Sequence, residues 1–298
     1  MNLRTMWNNA GVHYRGLWYR IDTTNACGLT CPTCARAKFA TPKGIMSMDI
    51  YKAILDKALR EGKIRSLELY AWGDSMLNPK LHEFCEHAVS LGIKTITTSS
   101  TFNTVKCDLP KVMASGISTV FVSFSGWEKY HITHRGGNLT QVLKNFKTLA
   151  KTEKHPNTRV VMRFHIYTHN HDEIAKAKEL CNEYGWEMTA YEAQWMENAS
   201  LVYGTLTDED LKVWDMLPWK PKDGKRSEFC YYQTKAVVID ANGKTFLCCV
   251  TPYADEFKTG DFLTTPLKVI RQNMAGHSFC VQCKDKGLNS YQLGRGGK

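Results

Sequence analysis

The stretch Asn25-Ala-Cys-Gly-Leu-Thr-Cys-Pro-Thr-Cys34 sets Cys27, Cys31 and Cys34 in a Cys-x3-Cys-x2-Cys run. Three thiolates on one short loop can hold three irons of a cubane cluster and leave the fourth without a protein ligand. Electron-transfer clusters ordinarily take four cysteines, so an open iron points to a further ligand that is not protein. The competing reading is a structural zinc loop, which needs four ligands, commonly as paired Cys-x2-Cys knuckles. The spacing here is wrong for a knuckle, and the next cysteine is Cys85.

Outward from this loop, the first two thirds of the chain alternate strand and helix. Leu17–Thr23 reads as a strand that delivers the cysteine loop at its C-terminal end. Asp49–Arg60 has helical apolar spacing, Ser66–Ala71 is strand-like, and a helix is expected from Pro79 to Ser90 with proline in its opening turn. Strands are expected at Lys94–Thr98, Thr119–Phe124, Val160–Ile166 and Glu187–Tyr191, with helices near Leu109–Ala114, Thr140–Lys151 and His171–Tyr184. Six such repeats imply a parallel sheet with right-handed crossovers, whose reactive groups gather at the strand C-termini. The pattern changes near residue 200. Thr207-Asp-Glu-Asp-Leu opens a short capped helix, Pro218–Lys225 is a connector, and Ala236–Asp240, Asn242-Gly243 and Thr245–Val250 read as a β-hairpin.

Around that hairpin, Cys230, Gly243, Cys248, Cys280 and Cys283 form Cys-x12-Gly-x4-Cys followed by Cys-x2-Cys. The glycine allows the turn that returns Cys248 alongside Cys230, and the last pair closes a four-thiolate site for a cluster or a structural zinc. Cys248 and Cys249 are adjacent, so in a strand they face opposite ways. The count from Gly243 selects Cys248, with Cys249 in reserve.

The N-terminal run resembles the signature of the radical S-adenosylmethionine (radical SAM) superfamily. There the open iron is chelated by SAM, which is cleaved reductively to a 5′-deoxyadenosyl radical that abstracts hydrogen from a substrate. The resemblance implies an α/β fold: a partial (βα)6 TIM-like barrel with a small C-terminal Twitch/SPASM-like β-hairpin plus helix domain. Residues 1–200 would form the core and 201–298 the auxiliary-cluster domain. The second cysteine set resembles the single-cluster Twitch form, since fifteen cysteine-free residues follow Cys283. Two 4Fe-4S clusters and SAM are thus the implied cofactors, with Cys27, Cys31 and Cys34 on the SAM cluster and Cys230, Cys248, Cys280 and Cys283 on the auxiliary one. A flavodoxin or ferredoxin is the implied electron donor.

The family carries a Gly-Gly-Glu stretch after strand two that contacts the SAM amino group. Trp72-Gly73-Asp74-Ser75 stands there in this chain, so Gly73 and the shorter carboxylate of Asp74 match that role; the alternative for Asp74 is a turn cap. In Val122-Ser-Phe-Ser-Gly-Trp-Glu-Lys-Tyr-His-Ile-Thr-His-Arg135, Ser123 and Arg135 match the residues that hold the SAM carboxylate and ribose. Thr33 departs from the aromatic that many members set against the adenine. His131, His134, His165, His169 and His171 are expected as surface or core residues, and Trp195, Glu197 and Asn198 as groups on the substrate side. No catalytic side chain is assigned.

Composition sets outer bounds. The 298 residues suffice for one large core or two unequal domains, 43% are hydrophobic, and no apolar run approaches the ~20 residues of a membrane span. Met1–Trp7 lacks a signal-peptide layout, so the expectation is a soluble cytoplasmic protein. Eleven cysteines in that setting argue for metal binding over disulfides, with Cys85, Cys107 and Cys181 as small core residues. The net charge of +10 favours an anionic substrate. A nucleotide or modified nucleic-acid base comes first, a ribosomal peptide to be matured or an aminocyclitol or sugar to be dehydrogenated second. From another class, the rival is a zinc-stabilised nucleic-acid-binding protein.

Overall fold

The computed structural model describes residues 16–37, 39, 44–218, 226 and 228–291. The expected Pro218–Lys225 connector lies outside them except for Pro218, as does the segment Met1–Trp7. Six strands follow in order: β1 (Leu17–Ile21), β2 (Ile64–Glu68), β3 (Ile96–Ser100), β4 (Thr119–Phe124), β5 (Arg159–Ile166) and β6 (Glu187–Glu192). Each pairs in parallel with the next. The crossovers carry α1 (Met48–Glu61), α2 (Leu81–Ser90), α3 (Leu109–Ala114), α4 (Leu139–Lys151) and α5 (Ile174–Tyr184). Caps end them where the sequence has short polar side chains: Ser47, Asp108 and Asn138 each accept a first-turn amide. β1 stops two residues short of Thr23, because the Asp22 carboxylate turns instead to the amides of the loop after β2. Pro79 stays outside α2.

The alternation along each strand assigns two faces. Tyr19, Leu67, Val120, Val122, Met162 and Phe164 are buried beneath the helices. The intervening residues, among them Arg20, Glu68, Ser123 and Arg163, share the opposite face by register. The sheet curls about that second face. β2 and β5 are three strands apart, about 14 Å in a flat sheet, yet Arg163 on β5 donates to the Tyr70 hydroxyl just beyond β2 at 3.2 Å. Cys34, after β1, forms a bridge with Met196, after β6. The six strands therefore form an open barrel with its C-terminal mouth drawn together.

After α6 (Asn198–Tyr203) and α7 (Asp208–Asp215), three strands extend the same sheet beyond β1. Thr207 and Asp210 form the capping box of α7. β7 (Ala236–Ile239) lies parallel to β1, with Trp18 opposite Ala236 and Ile21 opposite Ile239. β8 (Lys244–Phe246) and β9 (Lys258–Asp261) continue antiparallel. Gly243 adopts φ +79° in the β7–β8 turn, where the Asp240 side chain accepts the amides of Asn242 and Lys244. β8 is shorter than expected. Leu247 bonds to Phe257 across the ladder, and Thr251 folds back onto the Cys248 carbonyl, so Cys248 and Cys249 lie in a turn. α8 (Leu267–Gly276) docks on α1 through Lys57 to Thr265 and Glu61 to Leu267, and α9 (Ser278–Asp285) follows. Among the described residues no helix is long and apolar enough to cross a membrane.

Candidate functional site

The loop after β1 is held from several sides at the mouth of the barrel. Asp74 donates its amide to the Ala26 carbonyl at 2.8 Å, Thr30 donates to the Arg135 carbonyl at 2.9 Å, and Met196 donates to the Thr33 carbonyl at 2.7 Å. These anchors come from the segments after β2, β4 and β6. Arg36 adds a bond to the Asn25 carbonyl at 2.6 Å. Cys27, Cys31 and Cys34 are free thiols here. Burial pushes Cys27 up to about 12, with Asp74 adding to it. Burial also raises Cys31, to which Cys34 and Cys27 both contribute, and Cys34 moves in the same direction. Thiols that raise one another share a small space, and they stay protonated until a metal displaces their protons. Tyr130, 2% exposed, keeps its hydroxyl beside them without a hydrogen-bond partner. Three clustered thiols with an orphaned hydroxyl fit a cluster that carries an additional polar ligand.

Gly73 and Asp74 stand against this loop. A Cβ on Gly73 would lie 1.7 Å from the Thr24 carbonyl oxygen, so only glycine permits the approach. The Asp74 carboxylate accepts from Met76 at 3.1 Å and from the amide and hydroxyl of Thr101 at 3.3 and 3.2 Å. The cap is therefore real, and the carboxylate is also near enough to Cys27 to act on its proton affinity. Asp22, absent from the sequence reading, organises the turn: its two oxygens accept the amides of Ala71, Trp72 and Gly73. Burial raises its pKa to about 7 against those bonds. Ser123 lies on the inner face, 3.3 Å from the Ser99 hydroxyl. The Arg135 side chain is half exposed and reaches Glu209 at 3.7 Å; its carbonyl, not its guanidinium, touches the cysteine loop.

The second cysteine set surrounds one small cavity, lined by Cys230, Cys248, Cys280, Cys283, Tyr232 and Asn198 among others. Cys280 and Cys283 share a face of α9 at i and i+3. Burial raises all four thiols, Cys280 and Cys283 to about 12, with Cys230 reinforcing each of the other three. Cys249 turns the other way, to the Arg20 guanidinium at 2.5 Å and the Tyr232 hydroxyl at 3.2 Å. Four thiols around a shared cavity match the donor set of a 4Fe-4S cluster. The same four thiols could also hold a structural zinc.

Between the two centres, the inner face of the barrel is polar. Arg20 and Glu68 pair at 2.5 Å. Arg163 lies over the Phe121 ring, 3.3 Å from its centroid, and the His165 Nε2 is 2.9 Å from the Tyr191 hydroxyl. Burial and then Arg163 lower His165 to about 4, so the ring is neutral near pH 7. Strand alternation was the available signal in β5, where Arg163 and His165 alternate with Met162, Phe164 and Ile166. His134 is a core residue, stacked on Tyr130 at 4.6 Å and bonded to Ser125 at 2.8 Å. Trp195 and Glu197 do not face a substrate space. Trp195 is fully buried beside Tyr167, Ala193, Val213 and Leu217, and Glu197 caps α6. Asn198 lines the second cysteine cavity instead.

No family model matches the chain. Solved structures of radical SAM enzymes resemble it in fold. SuiB of Streptococcus suis bound to the precursor peptide SuiA has a TM-score of 0.63 at 14% identity, over 93% of this chain and 70% of that one. The enzyme anSMEcpe with bound AdoMet, which is SAM, gives 0.59 at 14%, over 91% and 81%. BtrN in complex with AdoMet and 2-DOIA gives 0.53 at 12%, over 94% and 92%. With six parallel strands curled into an open barrel and a three-cysteine loop at the end of the first, this chain has the radical SAM fold.

Proposed function

We propose that the chain is a radical SAM enzyme with an auxiliary cluster. The observation that carries this reading is the Cys27, Cys31 and Cys34 loop, fastened over the barrel mouth by segments after β2, β4 and β6. When bound, a 4Fe-4S cluster with SAM on its open iron supplies one-electron cleavage of SAM and hydrogen abstraction from the substrate. The three thiols would hold the SAM cluster, and Cys230, Cys248, Cys280 and Cys283 the second. Around SAM, Gly73 allows close backbone approach, and the buried Asp74 carboxylate beside Cys27 is the proposed partner of the SAM ammonium. Ser123 and Arg135 are the proposed contacts to the SAM carboxylate and ribose, Arg135 by leaving its exposed partner Glu209. The barrel lumen is the reaction chamber of this reading, where His165, neutral near pH 7, would position the substrate together with Tyr191 and Tyr70.

The substrate we favour is anionic, a nucleotide or modified nucleic-acid base, supported by the net charge of +10. A peptide substrate is the second reading, favoured by the likeness to SuiB with SuiA and to anSMEcpe with Cp18Cys peptide. A flavodoxin or ferredoxin would supply the electron. Anaerobically reconstituted protein with dithionite should cleave SAM to 5′-deoxyadenosine and methionine. Replacing Cys27, Cys31 and Cys34 together by alanine should abolish cleavage and leave one cluster bound; cleavage that persists in that variant overturns the assignment.

A further inference from the structure

The two arginines on the inner face of the barrel differ in how their charge is met. Arg20 has Glu68 at 2.5 Å, and the Tyr232 hydroxyl and Cys249 beside it. Arg163 has only neutral neighbours: its Nη1 donates to the Tyr70 hydroxyl at 3.2 Å, and its plane lies over Phe121. Among the described residues no carboxylate pairs with Arg163, and Glu68, the acidic group on its face of β2, is taken by Arg20. A guanidinium has five N–H donors in a fixed fork. Phe121 covers one face of the plane and Tyr70 uses one donor, which leaves the rest of the fork for a ligand. A half-buried cation without a counter-charge is costly, and a bound oxyanion offsets that cost. The same face holds a second group without a partner: Thr97 lies opposite Glu68 in the register, is 7% exposed, and its Oγ1 makes no hydrogen bond.

We propose that Arg163 is the specificity-determining anchor of the lumen, gripping a carboxylate or phosphate group of the substrate as a bidentate pair. The proposal rests on the reading of the lumen as the reaction chamber. The Arg20–Glu68 pair closes the β1–β2 side as a neutral unit, and Ser99 offers a hydroxyl between it and Arg163. Lysine would keep the charge but lose the planar fork.

Calorimetry on the reconstituted protein, with SAM at saturation to fill the adenosyl site, tests this without turnover. The probes are inorganic phosphate, adenosine 5′-monophosphate and N-acetylaspartate, with adenosine as the neutral control. The wild type should bind at least one anion about tenfold or more tightly than adenosine; tightest binding of the monophosphate marks a phosphate ligand, and of N-acetylaspartate a carboxylate. Arg163→Gln should weaken that binding about tenfold or more, the scale of a charged hydrogen bond. Arg163→Lys should fall between, which separates lost grip from a misfolded barrel. Arg159→Gln, at the far end of β5 and exposed, should change nothing. Undiminished binding in Arg163→Gln, or no anion bound by the wild type, overturns the proposal. Absent SAM cleavage in a wild type that binds anions through Arg163 would overturn the catalytic reading alone.

Discussion

Replacing Gly73 by alanine tests whether the two loops at the barrel mouth are built against each other. The added Cβ would stand 1.7 Å from the Thr24 oxygen, 2.8 Å from its carbonyl carbon and 3.0 Å from the Ala26 oxygen. All three are backbone atoms, so no side chain can swing aside, and one loop must retreat by more than an ångström. The retreat breaks the 2.8 Å bond from Asp74 to Ala26 and pulls three amides off the buried Asp22 carboxylate. Overpacking costs about 1–3 kcal/mol, a lost hydrogen bond about 0.5–1.5 and an under-satisfied buried acceptor about 1–3. Together these reach roughly 2.5–7.5 kcal/mol against a typical total of roughly 5–15. Urea denaturation of the metal-free protein reads this directly, with Gly44→Ala as the control because nothing lies within 4 Å of its Cβ position. After reconstitution, Gly73→Ala should also lose the iron of the first centre and keep that of the second. A midpoint and iron content equal to wild type would show that the close approach is not present in solution.

Three further outcomes are expected. Asp22→Asn, of nearly the same volume, sets an amide donor against backbone donors and should cost about 1–3 kcal/mol in urea denaturation; an unchanged midpoint refutes the bonding to Ala71, Trp72 and Gly73. Cys248→Ala should lose the iron of the second centre while Cys249→Ala keeps it, and the reverse would mean that the turn after β8 presents the other thiol. Burial lowers His134 from its usual value to about 3, so below about pH 6.5 the unfolded chain takes up a proton that the folded one refuses. Stability should then fall by up to about 1.4 kcal/mol per pH unit as pH drops from 6.5 toward 3. His134→Gln, measured between about pH 6.5 and 4.5, should show a shallower decline, and equal slopes would refute the assignment.

The β–α alternation was legible because helices and strands announce themselves locally, and strand Thr119–Phe124 and helix Leu109–Ala114 fall where periodicity puts them. Both cysteine sets were legible because spacing within a motif is a sequence property. What spacing cannot carry is contact between distant segments. The bonds of Asp22 to residues about fifty positions on, the steric demand on Gly73 and the pairing of Arg20 with Glu68 exist only once strands are side by side. β8 ended early for a similar reason: Leu247 bonds to Phe257, and nothing within Thr245–Val250 signals it. The inner-face contacts are of the same kind, since Arg163 reaches Tyr70 only across the curled sheet.

The place of β7 against β1 has a consequence for how the chain is made. Arg20 and Tyr232 meet across 212 positions, and at 5–20 residues per second a ribosome needs about 10–40 s to supply the second after the first. Throughout that interval β1 can pair with β2 while its other edge has no strand. An open edge is a template for another chain, and such long-range closure is slow. The polypeptide therefore emerges with its three-cysteine loop attached to an incomplete sheet, which the last third of the sequence completes by supplying β7.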